Sequence, residues 1–306
     1  MLEIFKFIFF ILSALLVLLL YFFFVASAPE KKEVAWGVNF SQSHAESLGL
    51  DWQKTYLALM EDLGAKNVKL HTQWDFVEGK KDSFYFHDID FQIREAEKHG
   101  AKIIYVVGMK TGRWPECHMP EWTASLSKQE QQEELLKYVK EVVLRYKDSK
   151  SITAWQAENE PLFRFGLCPW YDAGFLKQEV KLIKSLDPSK PVIVSDSGEQ
   201  SLWLRAGRIG DIVGTTLYRK VWFHITDGFG FNVSVPLPPV SYWLKSRLIK
   251  KLYGKEVINI ELQAEPWSRV VFYDVPLQEQ EKTMNLRQFK ANIAYARATG
   301  LGTFYL

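Results

Sequence analysis

Two segments of this 306-residue chain carry carboxylates where strands should end. In Ala154-Trp155-Gln156-Ala157-Glu158-Asn159-Glu160-Pro161, Glu160 directly follows a strand-like run; Pro161, which cannot donate to a ladder, closes the run and opens a loop. About a hundred residues later, Val257-Ile258-Asn259-Ile260-Glu261-Leu262-Gln263-Ala264-Glu265-Pro266-Trp267 places Glu261 after four strand residues, with Glu265 as competitor. Cleavage of a glycoside needs a protonated carboxyl to assist the leaving oxygen and a second carboxylate to meet the developing oxocarbenium ion. Two Glu residues ending different strands would supply both. A single loop Glu is more simply a solvated charge, so the pairing carries the inference.

Those strands belong to an alternating pattern. Short β-branched runs at Val34–Phe40, Asn67–His71, Lys102–Gly108, Ile152–Ala157, Pro191–Ser195, Ile212–Leu217, Glu256–Ile260 and Thr303–Leu306 are separated by amphipathic stretches at Trp52–Leu63, Phe91–His99, Gln131–Tyr146, Ala173–Ser185, Ser241–Leu252 and Gln278–Ala298. Alternation of this kind implies βαβ units and a parallel sheet. Eight strand starts predict an α/β protein with a (β/α)8 TIM barrel. The chain stops at Leu306 inside the eighth run with no helix behind it, so the barrel is expected to be incomplete at its C-terminus.

Asn159-Glu160-Pro161 after the fourth strand resembles the acid/base motif of the clan A glycoside hydrolases, the TIM-barrel retaining β-glycosidases that include cellulases, mannanases, xylanases and one group of β-galactosidases. That resemblance implies Glu160 as acid/base and a nucleophile at the end of strand seven. Glu261 fits that role best. It further implies that Asn159 binds the sugar hydroxyl beside the anomeric carbon and that Tyr218 hydrogen-bonds the nucleophile. His71 and Trp74 after strand two, Arg113 and Trp114 after strand three, and Trp267 after strand seven are expected to face the cleft. Two departures stand out. Lys69 occupies the strand-two position where many members carry Arg, which keeps the charge and loses the bidentate fork. The strand-eight Trp platform would lie beyond Leu306. Retaining geometry would set the two carboxyls about 5–5.5 Å apart, and no cofactor or metal is called for.

From Phe7 to Ala26 there is no charged residue, a stretch of about 20 residues that matches a bilayer core. Residues 1–28 are therefore expected to be a membrane anchor or signal segment, and residues 29–306 the TIM-barrel domain. The run exceeds a usual signal h-region and Pro29 would follow the cut, which favours an uncleaved transmembrane anchor with an extracytoplasmic domain. The alternative is secretion after cleavage at the Ala26-x-Ala28 pattern.

With 38 basic and 36 acidic residues the net charge is +2 and no stripe of one sign tracks a phosphate backbone, which argues against nucleic acid as a partner. Eleven Trp exceed the needs of a core, and Trp114, Trp170, Trp222 and Trp267 fall in loops where an indole could stack on a sugar, or simply pack. The only cysteines, Cys117 and Cys168, follow strands three and four at one barrel face and could form a disulfide, which fits an oxidising compartment. Asn39-Phe40-Ser41 and Asn232-Val233-Ser234 match glycosylation sequons, and Phe229–Pro239 reads as a long loop after strand six. The expected partners are a carbohydrate substrate and a membrane. A membrane-tethered, catalytically silent carbohydrate-binding barrel is the alternative function, and a purely structural envelope protein is a third reading that the Trp-rich loops disfavour.

Overall fold

The computed structural model describes residues 2–226, 229–268 and 274–306. Its strands are β1 (Ala35–Phe40), β2 (Asn67–His71), β3 (Lys102–Val107), β4 (Ile152–Ala157), β5 (Val192–Asp196), β6 (Ile212–Leu217), β7 (Lys220–Thr226), β8 (Phe229–Ser234), β9 (Glu256–Leu262) and β10 (Thr303–Tyr305). Its helices are α1 (Leu2–Phe24), α2 (Gln42–Ser47), α3 (Trp52–Glu61), α4 (Trp74–Val77), α5 (His87–Lys98), α6 (Lys128–Tyr146), α7 (Ala173–Leu186), α8 (Leu204–Ile209), α9 (Val240–Tyr253), α10 (Leu277–Gln280) and α11 (Leu286–Ala298).

Eight strands form one parallel sheet in the order β10-β1-β2-β3-β4-β5-β6-β9. β9 and β10 pack side by side, and no ladder joins them among the described residues, so the (β/α)8 barrel is nearly closed. Side chains entering the helices fix their start points. Ser127 and Glu130 form a capping box on α6, and the Asp51, Asp172 and Asn285 side chains cap α3, α7 and α11.

Strand alternation divides the core in two. Val68, Leu70, Tyr105, Val107, Trp155, Val194 and Leu217 face the helices, while Ile104, Ala154, Ile193, Ile258, Ile260 and Tyr305 fill the barrel. Towards the C-terminal ends the interior turns polar. Lys69, Gln156 and Ser195 are buried there and bonded through Asn159 and Gln156. Asn39 also lies inside, its amide donating to Ile260 O, which leaves no room for a glycan at the first sequon. Asn232 of the second sequon is exposed on β8.

Of the segment expected as a long loop, Phe229–Pro239, the first part is instead strand: Phe229–Ser234 forms β8 of an antiparallel hairpin with β7, paired from Lys220↔Ser234 to Thr226↔Phe229. Pro236, Pro238 and Pro239 follow the second strand rather than interrupt it, so they do not prevent pairing. The single stretch expected at Gln278–Ala298 is split into α10 and α11, with Asn285 as the new cap. α1 is exposed along its length, with mean hydropathy 2.9 over Glu3–Phe24, and at about 1.5 Å per residue it is long enough to cross a bilayer.

The detail of the sheet that matters most for the site lies between β6 and β9. Thr215 pairs with Asn259 but Thr216 pairs with Glu261, so Ile260 is an extra residue on β9. Strict alternation from Val257 would turn Glu261 towards the helices. The bulge instead brings Glu261 level with inward-facing Thr216 and returns Leu262 to the outer core. Buried Asn259 holds it, donating through Nδ2 to Thr215 O at 3.0 Å and to Glu261 O at 3.1 Å. Replacing Asn259 by Ala removes both hydrogen bonds. We expect a stability loss of about 1–3 kcal/mol, measurable by urea unfolding.

Candidate active site

The turn after β4 is built against its own backbone preferences. Glu158 and Glu160 both lie in the left-handed region, at φ 59° and 44°, and bracket Asn159. Several bonds over-determine this shape. Met109 N donates to Glu158 Oε1 at 2.8 Å and Lys110 N to Oε2; Asn159 N donates to Lys110 O; Glu160 N donates to Ser195 Oγ at 2.8 Å. Buried Lys110 adds bonds to Glu160 O at 3.1 Å and Phe163 O at 3.2 Å. Gly108 lets the β3 loop come this close, since a Cβ there would sit 2.5 Å from Glu158 Oε1.

Glu158 itself is buried against Glu179 of α7, and their carboxyls hydrogen-bond to one another. One of the two must carry the proton. Burial raises both, and the neighbouring Glu158 charge raises Glu179 further, well above the ordinary carboxyl range.

The turn carries Glu160 into the cleft, where its Oε1 accepts from Thr216 Oγ1 at 3.0 Å. From across the barrel, Glu261 Oε1 accepts from Lys69 Nζ at 2.9 Å and Oε2 from Tyr218 OH at 3.0 Å. Lys69 is fully buried and also reaches Asn159 Oδ1 at 3.3 Å. The two carboxyls are therefore driven apart. Burial and the nearby Glu261 charge push Glu160 up to about 8. Burial would raise Glu261 too, but the Lys69 ammonium and the Lys69 and Tyr218 hydrogen bonds outweigh it and hold Glu261 below its usual value.

The other expected residues divide. Tyr218 and Trp267 meet edge to face at 5.0 Å, and Trp267, Phe165 and half-exposed Trp114 continue as an aromatic wall with centroids 5.8 and 6.3 Å apart. Arg113 reaches that rim but is bound to Glu265 at 2.6 and 2.7 Å, so the competing carboxylate is tied to a guanidinium. His71 donates through Nδ1 to Thr111 O; burial and the Lys69 charge lower it to about 3, leaving a neutral ring beside the cleft.

Trp74 is a correction. It is fully buried, stacked on Tyr138 at 5.6 Å, with its N–H on Glu78, and belongs to the outer core. Trp170 likewise packs edge to face on Phe175 and bonds Gln131, between α6 and α7. Trp74 opens the short helix α4, where its indole packs on Tyr138 and Trp122.

Three further groups matter here, of which sequence reasoning passed over Thr216. Thr216 had no signal beyond its place near the end of strand six. Lys69 was read as a departure from a pattern, yet it is the counter-charge of the cleft. Glu116, in the loop after β3, is buried and pushed up to about 7, mainly by burial. Cys117 and Cys168 are joined in a disulfide with Cα atoms 5.2 Å apart, tying the β3 and β4 loops together. Among the described residues no group of three or more His, Cys, Asp or Glu is disposed to hold a metal.

The model of glycosyl hydrolase family 10 matches residues 29–174, just under half of the chain, which takes in β1–β4 and the Glu160 turn but stops before β9. A probable mannan endo-1,4-β-mannosidase A-1 of Aspergillus terreus is 26% identical over 161 residues, covering 50% of this chain. The chain spans 38% of that relative's length. Among solved structures, GH5_18 of Streptomyces cattleya, determined with GlcNAc, superposes with a TM-score of 0.61 at 12% identity, over 90% of this chain and 70% of its own. GH5_18 of Bifidobacterium longum subsp. infantis gives 0.61 at 13%, covering 90% and 69%. The exo-β-1,4-mannosidase Op5Man5 of an Opitutaceae bacterium gives 0.56 at 13%, covering 92% and 54%. At such identities the structural likenesses speak to the fold. The family and mannosidase matches are similarities to glycoside hydrolases over about half of the chain.

Two outcomes test the scaffold. Glu179 is raised in the folded state, so its contribution to stability is full below about pH 4.5 and is lost as pH rises towards its folded pKa. Glu179→Gln keeps a donor without titrating; its melting temperature should vary less between about pH 5 and 9 than the parent's. Replacing both cysteines by Ser, which opens a loop spanning a separation of 51 residues, should cost about 2–4 kcal/mol in denaturant unfolding.

Proposed function

We propose that this chain hydrolyses β-glycosidic bonds with retention of configuration, Glu160 acting as acid/base and Glu261 as nucleophile. The observation that carries the reading is the division of labour between two carboxyls in one cleft: one holds its proton to about pH 8, the other is kept ionised by Lys69 and Tyr218. In the first step Glu261 attacks the anomeric carbon as Glu160 gives its proton to the departing oxygen. Attack cancels the Glu261 charge. The electrostatic reason for Glu160's high pKa then weakens, and Glu160 becomes the base that activates water for the second step. Asn159, held by Lys69 and Gln156, would meet the hydroxyl beside the anomeric carbon through its free amide hydrogens. The aromatic wall of Trp267, Phe165 and Trp114 would receive sugar faces.

We read α1 as the anchor of an extracytoplasmic domain, which the Cys117–Cys168 disulfide supports because such bonds persist in oxidising compartments. Since the mannosidase relative and one mannosidase neighbour share features with this chain, aryl β-mannosides head the list of substrates to try.

Kinetics on a panel of aryl β-glycosides test this. Glu160→Ala and Glu261→Gln should each lower turnover by roughly 10²–10⁴ or more, and azide should restore Glu160→Ala while yielding a glycosyl azide of retained configuration. A Glu261→Gln variant that stays active would move the nucleophile to Glu265. An inactive parent that binds oligosaccharide would favour the silent tethered barrel. The pH profile of kcat/KM follows from the same assignment. It should fall on the alkaline side near pH 8 as Glu160 loses its proton, and on the acid side only below the ordinary carboxylate range, where Glu261 gains one.

A further inference from the structure

The charge balance of the whole chain conceals a lopsided surface. α7, α8 and α9 carry three, two and four basic residues in turn: Lys177, Lys181 and Lys184; Arg205 and Arg208; Lys245, Arg247, Lys250 and Lys251, of which Lys245 is turned inward and donates to Gly198 O and Ser201 O. Their one acid, Glu179, is buried against Glu158. α5 shows the contrast, with Asp88, Asp90, Glu95 and Glu97 against Arg94 and Lys98.

Between α7 and α8 the basic flank is hollowed into a groove of about 370 Å³, lined by Lys177, Lys181, Lys184 and Arg208 over a floor of Val180 and Ile209. Asp211 at its edge is occupied by Lys184 at 2.5 Å and by Val192 N. Exposed leucines stand among the cations: Leu202 and Leu204 at α8, Leu244 and Leu252 on α9. Cations mixed with exposed apolar side chains make the composition of a face that lies on an anionic bilayer, the leucines entering the headgroup boundary and the cations meeting phosphate.

The chain supplies its own reason to find a bilayer there. Where it leaves α1, the chain passes close by Gly300 and α9: a Cβ added at Gly300 would lie 3.1 Å from Ala28 Cβ, 3.2 Å from Pro29 O and 3.0 Å from Trp243 Cδ1. Arg247, which lies over the Trp243 ring, and then Lys250 and Lys251 continue that helical face. The apolar span therefore ends beside the basic flank.

We propose that the α7–α8–α9 flank docks on the anionic phospholipid headgroups of the membrane that α1 enters. This rests on the reading of α1 as a membrane anchor. α1 alone would hold the barrel to the membrane at one point. The flank fixes one side of the barrel to the surface.

The test uses the full chain reconstituted into vesicles of phosphatidylcholine, alone or mixed with phosphatidylglycerol. A fluorophore on Leu252→Cys reports contact through quenching by bromines on the acyl chains, and one on Arg94→Cys in α5 serves as control. Quenching at position 252 should be several-fold stronger on the anionic vesicles. It should fall to the phosphatidylcholine level at about 0.5 M salt, where charges more than a few ångströms apart are screened. It should fall equally when Arg208, Arg247 and Lys251 are all changed to Gln, with thermal melting to show that the variant is folded. The label at position 94 should stay unquenched throughout. Equal quenching on both lipids, or an unaltered triple variant, would overturn the proposal. So would binding of a soluble polyanion such as polygalacturonate at the flank without any lipid dependence, since that makes it a glycan site. Flotation separates the two readings: a chain that fails to float with phosphatidylcholine vesicles refutes the anchor, whereas one that floats without quenching refutes only the docking.

Discussion

A buried ammonium has to be neutralised where it stands, and Lys69 is fully buried at the centre of the cleft. Removing such a charge from water costs several kcal/mol unless partners are fixed around it. Here they come from two other strands: Glu261 at the end of β9 and Asn159 after β4. An ammonium has three donors in a tetrahedral spread, which suits two acceptors arriving from different directions better than the planar fork of Arg does. Lys69 thus links the strand-four turn to the strand-seven position of the barrel. It also favours the ionised form of Glu261, whose charge adds to burial in raising Glu160.

Much of this could be read from the chain before its fold was known. The eight strands fall within two residues of their expected bounds, because β-branched runs between amphipathic stretches have few alternative packings. Glu160 was legible from its place in Asn159-Glu160-Pro161, just past the fourth strand, which ends at Ala157. Glu261 was located by its place in the chain, yet its orientation was not legible. Alternation along Val257-Ile258-Asn259-Ile260-Glu261 puts it on the helix side, and only the register shift at Thr215/Thr216 corrects this. A bulge depends on the neighbouring strand, so no local pattern announces it. Trp74 failed for the opposite reason: its position after strand two was right, but burial against Tyr138 and Trp122 gained more than exposure in the cleft would.

The turn that presents Glu160 shows how strain is carried. Two left-handed glutamates in three residues each cost of order 1–3 kcal/mol, and neither has the short polar side chain that eases that conformation. What holds them is the Glu158 carboxyl, bound by two backbone N–H groups of the β3 loop and by Glu179. The disulfide between Cys117 and Cys168 closes the same two loops farther out. Strain, acid pair and disulfide therefore act on one object, the relation between the β3 and β4 loops. That relation fixes where Asn159 and Glu160 point.

The cleft and the basic flank lie in directions that do not conflict. Glu160 and Glu261 sit at the C-terminal ends of the strands, so the mouth opens along the barrel axis. α7, α8 and α9 run along the barrel's side, and their inner faces pack on β4, β5, β6 and β9. A barrel resting on that side keeps its mouth open parallel to the supporting surface rather than pressed into it or turned fully away. The buried sides of α7, α8 and α9 are fixed by barrel packing, so their outer residues are free to meet other demands. On this flank the sequence used that freedom for one sign of charge.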